Sequence, residues 1–208
     1  VLVVVGILGL FAIWPQLALP LFLLISGFHF GEQHWSLNVK QTSVSSTLFF
    51  SFYGLFILFM LFYVQREQVI PVLTELSGIE IQPEWLGSVF LFSAIGLVST
   101  ALFLRAKKLL TIRYVEELFI LLLLFIIFNV TSLIWSFSIY FILWHSIPSL
   151  RDQLVFLYGH SSKKTFIRYL RTSLPYWLVS IAGLGILYFF LKDNMDQMLS
   201  ILVYFLAA

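Results

Sequence analysis

The chain has 208 residues, of which 61% are hydrophobic and 11% charged, with a net charge of +2 and no cysteine. A soluble core of this size cannot hide so much apolar surface, so lipid must solvate the remainder. That balance excludes disorder and a coiled coil, and the small, dispersed charge excludes a nucleic-acid binder.

A membrane-crossing helix needs about 20 mostly apolar residues. Val1–Gly31 carries no charge, but Trp14-Pro15-Gln16 interrupts it. Proline suits a helix start and disfavours helix in the residue before it. The pattern therefore predicts the end of one helix over Val1–Trp14 and a second from Pro15 to Phe30. Val44–Val64 and Trp85–Leu104 each fit one span.

Leu118–Leu150 is also uncharged. As one helix it would extend roughly 50 Å, against a hydrocarbon core of about 30 Å. The polar cluster Asn129, Thr131 and Ser132 marks a turn between two short spans, a single strongly tilted helix being the alternative. Leu174–Leu191 is a further span, with Gly183 and Gly185 permitting close approach of a neighbour. Met198–Ala208 opens another. The expectation is an all-α, polytopic transmembrane helical bundle forming a single domain over residues 1–208. It has about seven spans, the first and last incomplete, and reads as a fragment of a longer chain.

Loop charge orients these spans, because Lys and Arg concentrate on cytoplasmic loops. Arg105, Lys107, Lys108 and Arg113 form one basic connection, and Arg151, Lys163, Lys164, Arg168 and Arg171 follow His145. Both lie inside only if Leu118–Leu150 crosses twice, which selects the hairpin. The same alternation places the Gly31–Ser43 loop, with Lys40, on the cytoplasmic side. The expected location is multi-pass in the cell inner membrane.

Ionisable groups within spans are costly in lipid and tend to mark function. Two clusters qualify: Phe28-His29-Phe30-Gly31-Glu32-Gln33-His34-Trp35 and Trp144-His145-Ser146-Ile147-Pro148-Ser149-Leu150-Arg151-Asp152. The topology puts both at the cytoplasmic ends of their helices, at similar depth. Without cysteine, any metal must sit on His, Glu or Asp, and neutral imidazoles facing a bundle core suit iron, copper, zinc or nickel. The competing reading for each histidine is an interfacial ring bonded to a carbonyl or water. His29 and His34 stand about 140° apart around a regular helix, so they share one ion only if the helix unwinds, for which Gly31 is the natural place. Glu32 is a candidate ligand or orienting partner, His34 sits beside Trp35 at headgroup level, and His160 lies solvated in a basic segment. The abundant aromatic side chains read first as lipid-facing bulk, and would also suit a long, flat apolar substrate entering sideways from the bilayer.

His29-Phe30-Gly31-Glu32 and Trp144-His145-Ser146, with Tyr140-Phe141 before the second, resemble the Brp/Blh family of integral-membrane β-carotene 15,15′-dioxygenases. The resemblance runs over the whole chain. It implies ferrous iron, Fe(2+), bound by His29 and His145, and oxidative cleavage of the central double bond of β-carotene by O2 to give two retinals. Glu32, His34, Ser149 and Trp144 are then accessory candidates. No side chain is assigned a separate catalytic role. The chain departs from the family's pattern at Ser149, where a second histidine is usual, and at His34, where aspartate is common; the family's first histidine motif would precede Val1.

The partners expected on this reading are the lipid bilayer, β-carotene and O2, with a functional link to a retinal-binding rhodopsin and no nucleic acid. The alternative class is a non-catalytic membrane partner: a carotenoid-binding or assembly factor for a retinal protein, which the Ser149 departure favours.

Overall fold

A computed structural model describes residues 2–193. Among these there is no β-strand, and the chain is all-α: α1 (Leu2–Ile13), α2 (Pro15–Trp35), α3 (Val44–Val64), α4 (Arg66–Ser77), α5 (Pro83–Ala106), α6 (Tyr114–Val130), α7 (Leu133–Tyr140), α8 (Ile147–Tyr158) and α9 (Lys163–Leu191). A short 3₁₀ turn, Ser36–Asn38, follows α2, and a π-helical turn, Phe141–Ser146, joins α7 to α8. Four stretches are long and apolar enough to cross a membrane: Val44–Val64, Pro83–Ala106, Leu133–Tyr158 and Lys163–Leu191. The protein is thus an all-α membrane protein of the expected class. The span expected at Met198–Ala208 lies outside the described residues.

The chain divides into two units, one of residues 10–145, the other having described parts 2–9 and 146–193. In the first, α3 is central: 56% of its apolar window is buried, against 11% for α5. Its Phe49, Phe50, Tyr53, Ile57 and Leu61 pack with Trp35 of α2, Leu104 of α5 and Phe128 of α6. A capping box starts α3, with Ser43 Oγ accepting from the Ser46 amide and Ser46 Oγ from the Ser43 amide, which satisfies two otherwise orphaned donors.

Glycine sets how closely α2 and α3 approach. A Cβ on Gly31 would fall on the backbone carbonyl of Phe50, and one on Gly54 on the carbonyl of Gly27. Gly27 and Gly31, four apart, face α3 as a small-residue stripe of the kind that lets membrane helices touch along their backbones. Close approach falls here. At Gly183 and Gly185 no described heavy atom outside the adjoining turns of α9 lies within 4 Å of where a Cβ would stand.

Polar contacts tie the loops of this unit into two ends. At one end the Lys40 amide donates to the Leu109 carbonyl (2.9 Å) and the Thr111 amide to Asn38 (3.1 Å), pairing the Lys40 loop with the basic Arg105–Arg113 connection. At the other, the buried Gln65 side-chain amide donates to the carbonyls of Phe128 (2.5 Å) and Thr131 (2.6 Å). The helix break therefore falls at Thr131–Ser132, and α6 ends opposite the end where it began. The connection after α3 is not simply a loop: α4 buries Val69, Leu73 and Leu76, an i, i+4, i+7 stripe typical of an amphipathic helix.

In the second unit, α9 begins well before the apolar run, at Lys163. A capping box of Ser162 and Thr165 starts it, so the basic residues extend the helix beyond the apolar segment. Tyr169 donates to Gln153 Oε1 across α8 and α9 (2.9 Å), and the Arg168 guanidinium lies over the Tyr158 ring. His160 is exposed, as expected for a solvated residue.

Candidate functional site

Helix α2 does not stop at Phe30. It runs unbroken to Trp35, and that extension decides which of its polar side chains share a face. His29 and Gln33, four apart, lie on one side, while His34 is turned about 140° from His29. Gly31 is not a point of unwinding. It is buried against Phe50, and the helix continues through it.

The second cluster forms on the π-helical turn. Pro148 offers no N–H to the carbonyl four residues back, and its ring would crowd that carbonyl in a regular helix. Widening the preceding turn relieves the crowding, and such π turns recur at functional sites. His145 sits in this widened segment.

The two histidine motifs meet. The rings of His29 and His145 lie 5.2 Å apart, centre to centre, edge to face. His29 is exposed and His145 half-buried. Around His145 stand Phe141 at 4.8 Å and Phe30 at 5.2 Å, with Tyr140 edge-on to Phe30 at 5.7 Å. Gln33 grips His145 at two points: its Nε2 donates to the His145 carbonyl (2.9 Å), and its Oε1 lies 2.5 Å from Nδ1. Trp144 packs against the core behind the turn.

His34 belongs to a different cluster. Its Nε2 meets Glu117 Oε1 at 2.9 Å, its ring stacks on Tyr53 at 4.9 Å, and the Tyr53 hydroxyl donates to Glu117 Oε2 at 3.3 Å. This trio pins α2, α3 and α6 together at the basic end. Glu32 is half-buried; its carbonyl accepts from the Ser36 amide at the end of α2, while its carboxylate makes no hydrogen bond or ion pair among the described residues. Ser149 lies on α8, in the second unit. Neither Gln33 nor Glu117 stands out along the sequence as a site residue. The i, i+4 spacing from His29 was the available signal for Gln33, whereas nothing local to Glu117 announces its partner on α2.

Two imidazoles on one face fit a metal ion in the kind of donor they offer, since neutral imidazole suits iron and its first-row neighbours. Among the described residues no group of three or more His, Cys, Asp or Glu is poised around one ion. What the arrangement provides is a two-histidine edge, exposed on the His29 side and walled by phenyl rings around His145.

Helices long and apolar enough to cross a bilayer, with two imidazoles brought together beside aromatic rings, define an all-α integral-membrane protein. The family model for beta-carotene 15,15'-dioxygenase matches residues 1–208, and the chain belongs to that family. Its function is accordingly of the carotene-dioxygenase type, in agreement with the resemblance carried by the two histidine motifs. Neither a search of curated proteins nor one of solved structures gave a match.

Proposed function

We propose that the protein cleaves the central double bond of β-carotene with O2, in an Fe(2+)-dependent reaction, to give two retinals. The observation that carries this reading is the approach of His29 and His145 to 5.2 Å from two separate motifs. The reaction balances without another reductant: one carbon–carbon double bond and the O–O bond break, and each central carbon ends as an aldehyde carbonyl bearing one oxygen. Both electron pairs that reduce O2 come from the alkene.

On this reading His29 and His145 hold the iron, which when bound supplies the redox chemistry with O2. The remaining work falls to the chain. Phe30, Tyr140 and Phe141 offer flat apolar faces to a polyene and keep water from the imidazole edge, as aromatic side chains do well. The exposed side of His29 leaves an approach for a substrate dissolved in the bilayer, and holding the chain against these rings selects which bond reaches the site. The site then lies at the cytoplasmic face of the cell inner membrane, the side assigned to the basic loops, and the retinal formed would supply a retinal-binding rhodopsin.

The test is retinal formation and iron content in carotene-producing cells expressing the protein, His29→Ala or His145→Ala. Both variants lose bound iron and retinal on this proposal. Retinal yield unchanged in both variants refutes it. A carotenoid-binding or assembly partner without catalysis is the second reading, favoured by the lack of a three-residue ligand group among the described residues. Stoichiometric carotenoid without iron in the purified protein selects it.

A further inference from the structure

Gln33 has a chemical role that the two histidines leave unfilled. A carbonyl oxygen can only accept a hydrogen bond, so the group of Gln33 facing the His145 carbonyl at 2.9 Å must be its NH₂. The amide oxygen then necessarily faces His145 Nδ1, at 2.5 Å. An amide oxygen also only accepts, so Nδ1 must carry the proton. A neutral imidazole has a single N–H, which leaves the lone pair on Nε2. One side chain thus fixes the tautomer, and through the main-chain bond it also fixes the turn that bears the ring. Phe30 and Phe141, at 5.2 and 4.8 Å, limit the ring's rotation.

We propose that Gln33 is a positioning residue that holds His145 as the Nδ1–H tautomer and so directs the Nε2 lone pair outward as a ligand. The ligand role rests on the reading of His29 and His145 as an iron site; the tautomer does not. Ligating histidines commonly donate their second ring N–H to such a partner, and removing the partner weakens metal binding by about 10–100-fold. Glutamine meets both demands here because its amide pairs a donor with an acceptor. Glutamate keeps an acceptor for Nδ1–H but sets its second oxygen against the His145 carbonyl, and leucine offers neither group.

The experiment has two arms, both on the intact chain in detergent or nanodiscs. In the first, ¹⁵N-histidine spectra of the metal-free protein are recorded at alkaline pH, His145 being assigned by its absence in His145→Gln. The chain has only four histidines, so the tautomers are readable one by one. The wild type should show His145 protonated at Nδ1, and Gln33→Leu should shift it towards Nε2–H while the helical circular dichroism stays unchanged. In the second, ferrous iron is titrated anaerobically into the same proteins. Affinity should fall by about 10–100-fold in Gln33→Leu, and less in Gln33→Glu.

An Nε2–H His145 in the wild type, or a Gln33→Leu variant with unaltered tautomer and iron affinity, overturns the proposal. If the tautomer shifts as stated but the wild type binds no iron, Gln33 still positions the imidazole and the iron reading is what fails. A Gln33→Leu variant that does not fold leaves Gln33→Glu to decide: it must retain Nδ1–H and bind iron more weakly than wild type, and failure of either overturns the proposal.

Discussion

Gly31→Ala offers the sharpest test of how α2 is held. The added methyl would enter the van der Waals envelope of the Phe50 carbonyl oxygen and carbon. Those are main-chain atoms in the body of α3, so no rotamer change relieves the overlap, and one helix must move by roughly 1.5 Å to restore ordinary contact. Overpacking of this kind costs about 1–3 kcal/mol, and alanine's better helix propensity returns about 1 kcal/mol. The net loss is about 2 kcal/mol at the upper end of that range, which for a chain of this size lowers the apparent Tm by about 4–8 °C. Gly31 lies between His29 and Gln33, so the same displacement moves the imidazole edge, and a misplacement of about 1 Å costs on the order of 10²-fold in rate. Thermal unfolding followed by circular dichroism gives the first quantity, and retinal formation in carotene-producing cells the second. Gly183→Ala is the control, since no described heavy atom outside the adjoining turns of α9 lies within 4 Å of its Cβ position; propensity alone should make it neutral to about 1 kcal/mol more stable. A Gly31→Ala protein that melts at or above the wild-type temperature and cleaves carotene normally would refute the close-packing argument.

Three further outcomes follow from contacts outside the imidazole pair. Gln65→Leu leaves the Phe128 and Thr131 carbonyls without their donor, which should cost about 1–3 kcal/mol; equal melting temperatures for variant and wild type would contradict it. Glu117→Ala removes the shared partner of His34 and Tyr53, should destabilise by a similar amount, and should expose the α2–α6 end to faster amide exchange than in the wild type. Ser43→Ala deletes the cap of α3, which should cost about 1 kcal/mol, measurable by the same melts.

Much of the architecture is legible along the chain because a bilayer imposes length and composition one helix at a time. Val44–Val64 could be bounded to the residue: an apolar run of the right length is flanked by Ser43 and Gln65. The break at Thr131–Ser132 was readable for the same reason, since an uncharged run too long for one crossing must turn at its polar residues. Helix ends outside the apolar runs were less visible. Trp35 rather than Phe30 closes α2, and Lys163 rather than Leu174 opens α9, because capping and side-chain packing extend helices past the point where hydropathy falls. The amphipathic stripe of Val69, Leu73 and Leu76 in α4 was present in the sequence but overshadowed by the acidic residues around it.

The site divides along the same line. His29 and His145 stand out in the sequence because imidazoles at membrane depth are expensive and rare, and loop charge alone put them at the same end. Their partners depend on distances between helices, which no local pattern encodes. Folding is what joins Gln33 to His145 and hands His34 to Glu117 and Tyr53. It also turns Gly31 from an apparent hinge into a packing contact with Phe50. Hydropathy acts on each helix separately, whereas hydrogen bonds and steric contacts between helices exist only once the helices have met.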